Sequence, residues 1–134
     1  GGGIPVSQKS GGRYFGVEAV IDKELTSNLL AAKLKADYFI LITGVEKVAL
    51  DFGRPEQRWL DNLKCDEALT LFRQSAFTPG SMAPKIDAMI RFFSRQEGAG
   101  IITNPDKKPD TISGKTGTHF TLSYCTTRHC HIHS

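Results

Sequence analysis

Five consecutive apolar residues, Tyr38-Phe39-Ile40-Leu41-Ile42, constrain the fold of this chain more than any other stretch. The run is far short of the ~20 residues that a membrane-crossing helix needs. Polar residues bound it and Gly44 ends it, the pattern of a strand buried on both faces. Just upstream, Lys23 to Ala36 carries Leu25, Leu29, Ala32 and Ala36 at helical spacing, with Leu30 and Leu34 widening the expected buried face. Asp22 stands where a helix N-cap belongs. Further along, a β-prone piece at Val48 to Phe52 is closed by Gly53-Arg54-Pro55, and a modest helix is predicted over Asp66 to Gln74. Ser81 reads as an N-cap with Pro84 in the first turn, and Ile86, Met89, Ile90 and Phe93 follow at i, i+3, i+4, i+7. Gly100 to Thr103 and Gly117 to Leu122 read as later strands, and Gly11-Gly12 as an early turn. Strands alternating with helices predict an α/β chain, a three-layer αβα sandwich whose mainly parallel sheet is covered on both sides.

Composition narrows the function. With 134 residues, 40% hydrophobic and 23% charged, the chain has the size and balance of one soluble globular domain. Its formal charge of +3 comes from lysines and arginines scattered among acids, which gives little support for nucleic-acid binding. No basic, apolar, small-residue pattern marks a secretory signal, and no membrane partner is expected. Cys65, Cys125 and Cys130 lack paired spacing, so reduced thiols and a cytoplasmic home are the expectation.

In open α/β sheets, ligands bind beyond the carboxyl ends of strands. Three polar, glycine-bearing segments are candidates to meet there: Gly1-Gly2-Gly3, Thr43-Gly44, and Gly80-Ser81 at a helix start. The glycine run is either a terminal tag or a loop whose backbone N–H groups hold an anion. Lys23 and Lys85 each sit in a first helical turn, where a cation opposes the helix dipole unless an anion binds. The plain alternative for both is a capped helix with a surface lysine. Glu18, Glu24 and Asp87 are conceivable metal ligands, but solvated helix charges are the commoner use of such residues, and no metal site is assigned. Phe52 and Trp59 suit rim packing or stacking on an adenine. The stretch from Cys125 through His129, Cys130 and His131 to His133 has ligand types without a second spaced pair, and reads as a terminal tail.

These pieces together resemble the C-terminal part of the carbamate kinases, in the amino acid kinase family. The matching segments are GGGIPV, VEAVIDKELTSNLLA, ADYFILITGVEKV, GRPEQ, FTPGSMAPKIDAMIRF and GKTGT, in family order from residue 1 to about 120. The resemblance implies residues 1–122 as the nucleotide-binding part of an amino acid kinase domain, starting inside a glycine loop, and 123–134 as a tail foreign to the family. It implies reversible phosphoryl transfer between ATP and carbamate, giving ADP and carbamoyl phosphate, with magnesium carried by the nucleotide and a place in arginine metabolism. Lys23 and Lys85 match the lysines at the transferred phosphoryl group, and Asp22 the aspartate that orients them. Gly1, Gly2, Gly3, Thr43, Ser81 and Met82 match nucleotide-side segments, and Phe52 an aromatic position beside the adenine. Gly44 and Ala83 depart from the pattern, standing where aspartate and glycine are usual. Family members are usually dimers and carry a further catalytic lysine in a part absent here, so the chain alone is expected to be inactive. The rival reading is a non-catalytic nucleotide-binding remnant or interaction module.

Overall fold

The computed structural model describes residues 3–107 and 113–122; Gly1, Gly2 and the Cys125 to His133 tail lie outside the described residues. Strands β1 (Val6–Gln8) and β2 (Tyr14–Gly16) form an antiparallel hairpin around Gly11 and Gly12, whose φ values of 101° and 79° account for glycine at both positions. Helix α1 (Lys23–Leu34) follows, then β3 (Tyr38–Ile42), the hairpin β4 (Val48–Leu50) and β5 (Arg58–Leu60), β6 (Asn62–Lys64), α2 (Cys65–Arg73), α3 (Met82–Arg95), β7 (Ala99–Thr103) and β8 (Thr118–Thr121). The main sheet runs β3-β7-β8-β6, with β3 parallel to β7, β6 parallel to β8, and β8 antiparallel to β7. The α/β class expected from the sequence is therefore the observed one, and two of the three strand pairings are parallel.

Helix α3 is the scaffold. Its predicted apolar face is buried, with Ile86, Met89, Ile90 and Phe93 all in the core and Phe92 fully enclosed. Phe92 stacks on Phe39 of β3 at 5.2 Å between ring centroids. Where α3 crosses β7 the sheet contributes Gly100. A Cβ there would lie 2.7 Å from the Met89 sulfur and 2.9 Å from the Phe93 ring, so the bare backbone permits the close approach.

Helix α1 departs from expectation. It begins and ends by local rules: the Asp22 carboxylate accepts from the Leu25 N–H at 2.9 Å, and Lys35 turns left-handed at φ 51°. The Ala36 N–H then returns to the Ala31 carbonyl, which stops the helix short of Ala36 and releases the chain into β3. The buried face, however, is Glu24, Asn28 and Ala31. Leu25, Leu29, Leu30 and Leu34 face outward, Leu34 with 70% of its surface exposed. The cause lies on α3. Asn28, 1% exposed, donates to the Ala88 carbonyl and accepts from Arg95, both at 2.8 Å, so the polar stripe finds the partners that burial demands.

The expectation of burial on both faces also fails for β3. Phe39 and Leu41 are buried against the helices, whereas Tyr38 and Ile42 on the opposite face are exposed. Among the described residues β3 is an edge strand. Ser81 is not a side-chain cap either: the Thr78 carbonyl accepts from the Met82 and Ala83 N–H groups instead.

A buried hydroxyl fixes the β4–β5 hairpin to the sheet. Thr118, on β8, accepts from the Val48 N–H at 2.8 Å and donates to the Leu60 carbonyl at 2.6 Å. This contact holds the base of the hairpin, whose other end carries Phe52 and whose second strand carries Trp59.

Candidate active site

The carboxyl end of β3 and the first turn of α3 lie between two cavities. One, of about 290 Å³, is lined by Lys23, Glu24, Thr26, Ser27, Leu41, Ile42 and Lys85. The other, of about 190 Å³, is lined by Thr43, Gly44, Val45, Ala49, Phe52, Trp59, Thr78, Ser81 and Met82. Ile42 and Thr43 are successive residues, and Ser81 and Lys85 are one helical turn apart, so the strand end and the helix start each contribute to both cavities. The Thr43 N–H donates to the Thr103 carbonyl at 2.8 Å, which anchors the strand end between them.

In the first cavity the two lysines meet on one carboxylate. Glu24 Oε1 lies 3.0 Å from Lys85 Nζ and 3.3 Å from Lys23 Nζ. Glu24 is only 5% exposed, while the Lys23 side chain is 73% exposed and the Lys85 side chain 13%. Burial pushes the Glu24 carboxyl up, but hydrogen bonds from Lys85 and then Lys23 outweigh it, so the group titrates below its ordinary value. Lys85 Nζ also donates to the Ser81 carbonyl at 3.3 Å, which ties the ammonium to its own helix start. The result is a held pair of ammonium groups, one reaching into solvent and one fixed.

Asp22, expected to orient the lysines, uses its carboxylate as the α1 cap; Glu24 is the carboxylate at both ammonium groups. In the sequence alone, Glu24 reads as a metal ligand or, more commonly, a solvated helix charge. The signal available was the cap itself, since an N-cap aspartate points at the N–H groups of its own helix. Asp87 is paired with Arg91 at 2.9 Å, and Glu18 is exposed. Among the described residues, no group of three or more His, Cys, Asp or Glu is placed to hold a metal.

The second cavity gathers Thr43, Phe52, Ser81 and Met82, all four of the described nucleotide-side candidates outside the glycine run. Gly44 and Trp59 line it as well. Gly3 has a positive φ of 74° but lines neither cavity. Ala83 faces a third space of about 350 Å³, with Asp22, Leu25, Phe72, Pro79, Gly80, Pro84 and Asp87.

The family model that matches is the amino acid kinase family, over residues 2–104. The chain belongs to the amino acid kinase family. It is 46% identical over 118 residues to a carbamate kinase of Thermoplasma volcanium, covering 88% of this chain and 38% of that protein. It is 44% identical over 119 residues to the carbamate kinase-like protein YahI of Escherichia coli, covering 89% and 38%. The structure of the Giardia lamblia carbamate kinase bound to AMP-PNP superposes with a TM-score of 0.86 at 36% identity, over 91% of this chain and 38% of that one. The chain thus spans well under half the length of these relatives. No helix among the described residues is long and apolar enough to cross a membrane.

Proposed function

We propose that this chain forms the nucleotide-binding part of a carbamate kinase, an enzyme of reversible phosphoryl transfer from ATP to carbamate. The observation that carries the reading is the meeting of Lys23 and Lys85 on buried Glu24, beside a cavity lined by Thr43, Phe52, Ser81 and Met82. A phosphoryl-transfer transition state spreads negative charge over its oxygens, and catalysis is chiefly positioning and electrostatic stabilisation. Two ammonium groups held by one carboxylate suit that demand. Lys85, nearly buried and doubly bonded, supplies a fixed charge, and Lys23 an accessible one. Glu24 orients both, and Asp22 sets the helix start from which Lys23 projects.

Thr43, Phe52, Ser81 and Met82 take the nucleotide side, and Gly1, Gly2 and Gly3 belong to its phosphate loop. The one buried carboxylate at the site is already engaged by the lysines, a donor set that fits magnesium arriving on the nucleotide phosphates rather than held by the protein. When bound, that ion neutralises phosphate charge. The reading brings with it carbamate and carbamoyl phosphate as small-molecule partners, ATP and ADP as nucleotides, a cytoplasmic home and a dimer in the complete enzyme.

The test is Lys85→Ala in the natural polypeptide that carries this chain. ATP formation from carbamoyl phosphate and ADP should fall about a hundredfold or more with the circular dichroism unchanged. Turnover at the unmodified rate would rule the reading out. A second reading, a nucleotide-binding remnant without catalysis, draws on the 38% coverage of the relatives. It predicts Mg-ADP binding with no phosphoryl transfer at natural length.

A further inference from the structure

We propose that Trp59 is a specificity residue of the 190 Å³ cavity, forming with Phe52 an aromatic wall that selects a purine base over a pyrimidine. The inference rests on the nucleotide reading of that cavity and goes beyond it by assigning the base preference to a residue outside the matched site positions.

Trp59 lies directly opposite Ala49 in the β4–β5 pair, and opposite residues of an antiparallel pair share a face. Ala49 is buried and offers only a methyl, so the cross-strand partner leaves much of the indole uncovered. Phe52 meets Trp59 edge to face, with centroids 6.2 Å apart and planes at 73°. The contrast with Phe39 and Phe92 is informative, since those two rings stack inside the core. Phe52 and Trp59 remain 55% and 47% exposed while lining a cavity.

Exposed aromatic surface of this kind is stabilised by a planar partner. The wall is also well held, because the Thr118 hydroxyl fixes both strands of the hairpin at Val48 and Leu60. Met82 and Ala49 add apolar lining, and the hydroxyl residues Thr43 and Ser81 leave polar positions for the edge of the ligand. A fused bicyclic base covers more of such a wall than a single ring does, so the discrimination falls between purine and pyrimidine.

Calorimetric titration of the natural polypeptide with ADP and with CDP tests this, using wild type, Trp59→Ala and Trp59→Phe. Trp59→Ala should weaken ADP binding about tenfold and CDP binding much less, narrowing the preference, while Trp59→Phe keeps most of it. ADP should also change the tryptophan emission of wild type over the same concentration range, and the change should be absent in Trp59→Phe. An unchanged ADP to CDP ratio in Trp59→Ala, or emission indifferent to ADP that calorimetry shows to be bound, overturns the role of Trp59 and leaves the nucleotide reading standing. If Trp59→Ala does not fold, Trp59→Leu takes its place in the two titrations, and an unchanged ADP to CDP ratio there overturns the role of Trp59. Wild type that binds neither nucleotide brings down the nucleotide reading and this inference together.

Discussion

Helices α1 and α3 lie against each other, and each brings a lysine to the same carboxylate from its first residues, yet they are built on opposite plans. Helix α3 turns its apolar face inward and anchors the core through Ile86, Met89 and Phe92. Helix α1 turns Glu24 and Asn28 inward and its leucines outward. The difference separates two jobs. One helix supplies cohesion, and the other supplies a buried polar stripe whose partners on α3 fix the relative position of the two lysines.

If that division is right, substitutions on the two helices should differ in kind. Phe92→Ala should destabilise the fold by about 4 kcal/mol, read as a lower urea midpoint, because it opens a cavity where three rings meet. Glu24→Ala leaves the largely buried Lys85 ammonium without its carboxylate and should cost about 3 kcal/mol together with phosphoryl transfer. A loss of stability with activity intact would show Glu24 to be cohesive only. The same contact has a pH signature. The folded Glu24 carboxyl titrates below the ordinary 4.5, so its contribution is complete above that value and disappears as pH falls through the lowered one. The gap in urea midpoint between wild type and Glu24→Gln should therefore close toward acid pH. Asn28→Ala strands the Ala88 carbonyl and Arg95, and should cost about 2 kcal/mol. Leu30→Ala, on the outward face, should stay within about 0.5 kcal/mol in the chain as it stands. A loss well above that in the natural polypeptide would show that another segment covers this face there, and would sharpen the contrast between the helices.

What the sequence revealed follows the same line. Helix α3 was legible because its periodic apolar residues find their partners, β3 and β7, within the chain. Helix α1 was located correctly but turned the wrong way, since apolar periodicity identifies a face without saying what covers it. The inward stripe depends on Ala88 and Arg95, some 60 residues away along the chain, and no local pattern announces such partners. Lys23 and Lys85 were legible as cations at helix starts, and their convergence came from family likeness. Asp22 and Glu24 flank Lys23 equally in sequence, and only the geometry of the cap separates them. The nucleotide-side candidates Thr43, Phe52, Ser81 and Met82 were legible as positions in three separate segments; Trp59 was legible only as an aromatic for rim packing or stacking, and the β4–β5 register is what sets it beside them.

Gly100 carries a consequence for how the site is kept in alignment. Helix α3 is about 21 Å long at the usual rise, with the Met89 and Phe93 contacts to Gly100 in its second half and Lys85 near its start. A methyl at Gly100 would act as a wedge under one arm of a lever, lifting Met89 and Phe93 and swinging the opposite end. The ammonium of Lys85 and the lip of the aromatic cavity would move together, out of alignment with Lys23. A residue with no side chain thus sets the height at which α3 rides over the sheet.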